Sequence, residues 1–169
     1  MNVGRRPGRG REAGSDPLPP VRIAILSPLA VGASAVVCTI LIHALAVIAA
    51  VNVVRHERRL GRAGSSFWID LGIVAAAVFF ALAAHLVEIA LWALLFMMCG
   101  EFSAFGNAFD HSAVSYTTLG NDNVIMSPSW RLLGSLEAAN GALMFGVSTA
   151  MIFTVVQRLV QTRYVDLRE

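Results

Sequence analysis

Four polar residues inside otherwise apolar stretches have types and spacing suited to proton or metal chemistry. His85 and Glu88 are three positions apart, so a helix carries both on one face. Glu137 and Asn140 repeat this spacing further along the chain. Ionisable side chains in apolar stretches are costly and often mark a functional site. If the two stretches form antiparallel helices, we expect these four side chains to lie at similar depths and to meet.

This set of side chains allows three interpretations. It is a structural polar clasp between helices, a proton-sensing gate, or a metal site. Two carboxylates and one histidine lack a further ligand, so the sequence predicts no metal cofactor. His43 and Asn52 lie in an earlier apolar stretch, where interhelical hydrogen bonding is their expected role. No Ser/His/Asp arrangement indicates an enzyme.

The elements that must position these residues are three long apolar blocks, at 29–51, 71–100 and 132–157. The second contains one charged residue, Glu88, and the third contains one, Glu137. A helix needs about 20 residues to cross the hydrocarbon core of a bilayer, and each block is long enough. Only 14% of the 169 residues are charged, against about 25% in soluble domains. The chain is therefore predicted to be an all-α membrane protein that crosses the lipid bilayer three times, and not a nucleic-acid binder.

The segment between the second and third blocks predicts a short helix followed by a polar loop. Residues 104–117 are enough for about three helical turns, with Phe105, Phe109, Ala113 and Tyr116 near one face. A semi-polar helix too short to span a bilayer indicates a re-entrant segment. The run T-T-L-G-N-D-N follows, and then S-P-S-W-R-L-L-G leads into the third block.

This order of parts resembles the pore module of the potassium-channel superfamily. The filter motif of that superfamily, T-T-V-G-Y-G-D, is matched here at Thr117, Thr118 and Gly120, with Leu119 in place of Val. The flanking runs are similar to small bacterial members. The resemblance covers about residues 67–158 and implies a re-entrant pore helix and a filter loop between the second and third spans. It further implies a homotetramer in the bacterial inner (plasma) membrane.

The resemblance also assigns the filter residues and their expected ions. The residues of the filter loop are Thr117, Thr118, Leu119, Gly120, Asn121, Asp122 and Asn123. Backbone carbonyls of such a loop replace the hydration shell of a cation. Three positions depart from the motif, because Asn121, Asp122 and Asn123 stand where Tyr, Gly and Asp are usual.

These departures predict altered selectivity. Four Asp122 carboxylates near the outer mouth would attract cations and could bind Ca²⁺. We therefore expect a cation channel with a weak preference for K⁺ over Na⁺ and with block or permeation by Ca²⁺, and no cofactor besides the permeant ions. The alternative is a non-conducting membrane scaffold that retains the pore fold.

The third block carries a stripe of small and polar residues at helical spacing. This stripe either lines a water-filled cavity or packs against another helix. Gly141 and Gly146 are candidate gating hinges in this block, by the same resemblance. The members of the stripe are Glu137, Asn140, Gly141, Met144, Ser148 and Met151.

The arginine distribution predicts the division of the chain and its orientation. We expect a disordered basic tail at 1–22, an additional transmembrane helix at 23–54 and a basic cytoplasmic linker at 55–66. The pore domain then covers 67–160 and a short tail 161–169. A cytoplasmic linker and C-terminus agree with the positive-inside rule. Three spans then leave the basic N-terminal tail outside; either this tail is exported, which we favour, or the first block does not fully span.

Overall fold

The computed structural model describes residues 21–118 and 126–166, and it is helical throughout most of this part. Three helices are long: α1 (Val21–Arg59), α2 (Phe67–Met98) and α4 (Arg131–Asp166). Between α2 and α4 lies a short helix, α3 (Phe105–Tyr116). Leu119, Gly120, Asn121, Asp122 and Asn123 of the predicted filter lie outside the described residues.

Each long helix contains a stretch that is long and apolar enough to cross a membrane: Ile25–Arg59, Phe67–Met98 and Arg131–Arg163. Large apolar side chains on their outer faces are exposed, among them Leu41, Leu82 and Leu143. Small side chains such as Ala50, Ala77 and Ala93 are buried between the helices instead. Membrane helices associate through small residues, because lipid removes the hydrophobic drive to bury large ones. The protein is an integral membrane protein with the predicted all-α class.

The helices form one bundle in which α1 packs on α2 and α4, while α3 packs on α2 and α4. α2 ends in a Schellman motif: Gly100 has φ +78°, its N–H donates to the Met97 carbonyl at 3.0 Å, and the Glu101 N–H donates to the Phe96 carbonyl at 3.1 Å. Glu101 then accepts a hydrogen bond from the Ser127 N–H at 2.9 Å. This contact holds the segment that follows α2 against the segment that precedes α4.

The helix bounds differ from the predicted ones at the basic end of the bundle. α1 continues to Arg59, so residues 55–59 of the expected linker are helical. Arginine is a good helix former, and cations near a helix C-terminus are favoured by the helix dipole. α4 likewise continues past residue 160. Asp70 of α2 connects the segment between α1 and α2 with α4 at this end of the bundle. It accepts a hydrogen bond from the Gly64 N–H at 2.8 Å and lies 3.6 Å from Arg163.

The short helix α3 lies within the predicted 104–117 segment, and the four residues placed near one face differ in their burial. Phe105 is exposed, and Phe109 and Ala113 are only partly buried. Of these four residues, only Tyr116 is buried. The other buried residues are Ala108, His111 and Ser112. The polar contacts of Ser112 and Tyr116 determine which face of α3 is buried. The pattern of apolar residues in the sequence does not reveal these contacts.

Candidate functional site

The site is built around Glu88, which is completely buried in α2. Its Oε1 atom lies 2.9 Å from Nδ1 of His43 on α1. Its Oε2 atom accepts a hydrogen bond from the hydroxyl of Tyr116, the last residue of α3. One carboxylate therefore connects three helices. His43 was expected to bond between helices, and this contact confirms it.

His85 and Ser148 complete this group of side chains. Nδ1 of His85 lies 3.1 Å from the Tyr116 hydroxyl, and Nε2 lies 3.0 Å from Oγ of Ser148 on α4. The same Oγ atom lies 3.0 Å from Nε2 of His43. We call His43, His85, Glu88, Tyr116 and Ser148 the polar cluster; all four helices contribute to it, and all five side chains are buried.

Glu137 and Asn140 are buried in the same bundle, but they do not bond to His85 or Glu88. Oε1 of Glu137 accepts a hydrogen bond from the Ser112 hydroxyl of α3. Asn140 accepts one from Thr39 of α1 at 3.1 Å. The expected clasp between the second and third spans is therefore indirect, because α3 lies between the two carboxyl groups. Ser112, which also contacts the Ile89 carbonyl at 2.8 Å, was not singled out in the sequence.

The carboxyl end of α3 contacts α4 through backbone atoms. A Cβ added at Gly141 would lie 2.1 Å from the carbonyl oxygen of Tyr116, so only glycine permits this approach. Thr117 then caps the helix, and its hydroxyl donates to the Ala113 carbonyl at 2.7 Å.

Thr118 has a backbone conformation that is unusual for its type. Its φ is +61°, in the left-handed region that β-branched residues rarely adopt. Such strain costs about 1–3 kcal/mol and tends to occur at functional sites. The helical conformation thus ends at the first two residues of the predicted filter.

The stripe on α4 is a packing face in this bundle. Five of its members, Glu137, Asn140, Met144, Ser148 and Met151, are each at most 7% exposed, and Gly141 is buried against Tyr116. The stripe faces the other helices of the same chain. The opposite face of α4 is exposed and carries Ala142, Gly146, Ala150, Phe153 and Gln157. α4 is one continuous helix through both glycines, so a hinge at Gly141 or Gly146 stays a prediction.

Two polar residues outside the predicted clasp have contrasting environments. His111 of α3 is buried between the rings of Phe96 and Phe102, with centroid distances of 5.5 Å and 5.1 Å. Neither of its ring nitrogens has a hydrogen-bond partner among the described residues. Asn52, in contrast, is exposed on α1.

Three members of the polar cluster are residue types that hold metal ions. His43, His85 and Glu88 each offer a ligand atom, and these atoms lie within 4.8 Å of one another. The sequence did not predict this group. His43 lies on the first apolar block, and the periodicity of that block does not show which of its faces points toward α2. The one feature of the sequence that pointed to His43 was an ionisable residue type inside an apolar stretch.

Residues 84–158 match a family model described as "Ion channel". The matched region begins within α2, includes α3 and extends along most of α4. It contains the whole polar cluster except His43. This match supports a pore module of the potassium-channel superfamily in this part of the chain, as the sequence motifs predicted. The match supports an ion channel of the potassium-channel-like kind, and it points to transport rather than enzymatic catalysis. No curated protein and no solved structure matches the chain significantly.

Proposed function

We propose that four copies of this chain assemble into a cation-conducting pore-loop channel of the bacterial inner membrane, with α3 as the re-entrant pore helix. The observation that carries this proposal is the attachment of α3 to the bundle interior. Its last residue, Tyr116, bonds to Glu88, which lies ten residues before the end of α2 at Met98. Ten residues correspond to about 15 Å along a helix, half the thickness of the hydrocarbon core.

The return of the chain supports the same topology. α3 begins shortly after the end of α2, and Ser127 bonds to Glu101 at that same end of the bundle. Thr117 therefore lies in the bundle interior, whereas Ser127 lies at the level where α3 began. A loop that descends as a helix and returns without crossing the membrane is the topology of a pore loop. Non-helical backbone at membrane depth requires burial in protein or contact with water.

The polarity of α3 suits a cation at the end of this helix. Its carboxyl end, at Tyr116 and Thr117, points into the bundle, and that end carries the negative pole of the helix dipole. The carbonyls of Thr118, Leu119, Gly120 and Asn121 then act as filter ligands. Asp122 in place of glycine alters the regular backbone that K⁺ selection requires, so the pore prefers K⁺ only weakly.

Four-fold symmetry follows from the single loop in each chain, because a filter of this type needs four strands around one axis. The exposed face of α4, with Ala142, Gly146, Ala150 and Gln157, is the face that lines the inner cavity. These four residues are small or polar, as a water-filled cavity requires, whereas Phe153 on the same face is large and apolar.

The test is the reversal potential of the purified protein in planar bilayers under bi-ionic K⁺/Na⁺ and K⁺/Ca²⁺ gradients. Wild type should discriminate weakly between K⁺ and Na⁺ and should pass or be blocked by Ca²⁺. The double variant Asn121→Tyr/Asp122→Gly should gain K⁺ selectivity, because it restores the usual residues. Asp122→Asn, which keeps the size of the side chain, should weaken only the effect of Ca²⁺. High K⁺ selectivity in wild type contradicts the proposed filter. A tetramer that carries no ion current favours a scaffold function.

A further inference from the structure

Both histidines of the polar cluster direct their Nδ1 atom toward the carboxylate of Glu88. Nδ1 of His43 lies 2.9 Å from Oε1 of Glu88, and Nδ1 of His85 lies 3.7 Å from Oε2. The Tyr116 hydroxyl lies 3.1 Å from Nδ1 of His85 and bonds to Oε2 of Glu88. The two Nδ1 atoms, the Glu88 carboxylate and the Tyr116 hydroxyl thus surround a small volume between α1, α2 and α3.

Ser148 explains why both rings have this orientation. Its single Oγ lies 3.0 Å from Nε2 of His43 and 3.0 Å from Nε2 of His85. A hydroxyl oxygen has two lone pairs, so it can accept an N–H from both rings. Both histidines are then Nε2–H tautomers, and both Nδ1 lone pairs face the Glu88 carboxylate.

Acceptors that converge in a hydrocarbon interior need a positive centre between them, because an unpaired buried charge is very costly. Histidines that bind a metal through one nitrogen almost always donate the other N–H to a neighbouring acceptor. The Oγ atom of Ser148, at 3.0 Å from Nε2 of each ring, is placed to be that acceptor for both.

We propose that His43, His85 and Glu88 bind a divalent first-row metal ion, with the Tyr116 hydroxyl as the fourth ligand and Zn²⁺ as the best fit. Two imidazole nitrogens with one carboxylate are a ligand set that zinc uses, whereas Mg²⁺ and Ca²⁺ prefer all-oxygen sites. In a tetrahedral zinc site, neighbouring ligand atoms are about 3.4 Å apart. The separations of 2.9, 3.1 and 3.7 Å lie on both sides of that value.

The ion joins α1 and α2 directly and reaches the carboxyl end of α3 through Tyr116. It therefore has a structural function in the bundle, and the site exists whether or not the assembled protein conducts ions.

The experiment measures the metal content of the full chain, purified in detergent with a tag that contains no histidine. Wild type should contain about one Zn²⁺ per chain. His43→Ala and Glu88→Gln should each lower that content by about tenfold or more. His56→Ala is the matched control, because His56 is an exposed histidine on the same helix, and it should retain the metal.

Ser148→Ala gives a second readout that keeps every ligand. Cobalt-substituted wild type should show the visible bands of tetrahedral Co²⁺. Ser148→Ala should bind Co²⁺ about tenfold more weakly, because both rings lose their orienting partner. These spectra decide the question even if the ligand variants do not fold.

Two results overturn the proposal. One is a folded, helical wild type that purifies without metal and takes up neither Zn²⁺ nor Co²⁺. The cluster is then held by a proton that His43 and Glu88 share. The other is full metal content in both His43→Ala and Glu88→Gln, which locates the bound metal elsewhere.

Discussion

At the scale of single residues, the interior of this membrane bundle is organised by a few polar side chains that find partners on other helices. Glu88 contacts His43 and Tyr116, and Ser148 contacts both histidines. A buried polar group that loses its partner costs about 1–3 kcal/mol. These contacts therefore help to set the positions of α1 and α3 against α2.

The Tyr116 hydroxyl gives the first prediction. Tyr116→Phe keeps the ring but removes the hydrogen bond to Glu88 and the contact with His85. We expect a loss of about 1–3 kcal/mol in the free energy of unfolding, measured by chemical unfolding in detergent.

Thr154→Val is the matched control, because it removes a hydroxyl that bonds to the Ala150 carbonyl on an exposed face. It should change stability by less than about 0.5 kcal/mol. If the two variants lose equal stability, the polar cluster does not hold α3.

The residues of this cluster were only partly predictable from the sequence. His85 and Glu88 were evident as ionisable residues in an apolar block, and so was Glu137. Their partners were not, because partners on different helices depend on helix rotation and depth. A shift of one position turns a side chain about 100° around a helix. Ser112 and Ser148 carry no charge, so no pattern marked them as partners of Glu137 and His85.

At the scale of elements, the packing of α3 against α4 depends on one glycine. Gly141 allows the Tyr116 carbonyl to approach a position where a Cβ would be 2.1 Å away. Gly146 lies further along the same helix, and a Cβ added there would meet nothing within 4 Å. The two glycines therefore have different functions in this bundle.

The variants Gly141→Ala and Gly146→Ala test this difference. Gly141→Ala must push α3 away and should lower the thermal stability of the protein in detergent. Gly146→Ala should leave stability unchanged or raise it by up to about 1 kcal/mol, since alanine is the better helix former. Equal effects of the two substitutions would show that the close contact at Gly141 is unimportant.

The elements themselves were more predictable than their contacts. The three spans follow from the length of the apolar blocks, and α3 follows from the short semi-polar segment between two of them. The exact end of α1 did not follow, because charged residues such as Arg58 suit both a loop and the last turn of a helix. Which face of α3 is buried did not follow either, because the polar partners of Ser112 and Tyr116 lie on other helices.

At the scale of the whole molecule, the proposed pore loop, with one copy in each chain, calls for four chains around one axis. Native mass spectrometry of the protein in detergent should show a tetramer. A monomer or dimer as the only species would contradict the channel proposal, since no axis would then be lined by four strands. The sequence motif predicted the pore module, whereas one chain alone does not display the contacts between copies.

The α4 face that we assign to the cavity gives a further prediction for the assembly. Cysteine at Ala150, on the exposed face, should react with a charged methanethiosulfonate reagent and reduce ion flux. Cysteine at Met151, the neighbouring residue on the buried face, should react much more slowly. A faster reaction at position 151 would contradict the assignment.

The native cysteines allow this experiment with one background change. Cys38 is exposed on α1 and is replaced by alanine in both variants. Cys99 can remain, because burial and then the charge of Glu101 raise the pKa of its thiol. A higher pKa lowers the fraction of reactive thiolate.

The central claim is that the assembled chain conducts cations, and one measurement tests it most directly. Purified tetramers are reconstituted into planar bilayers with unequal KCl concentrations on the two sides, and the reversal potential of the current is measured. We predict a current that reverses near the equilibrium potential of K⁺ and persists when Na⁺ replaces K⁺. A current that reverses near the equilibrium potential of Cl⁻, or no current from verified tetramers, would contradict the account.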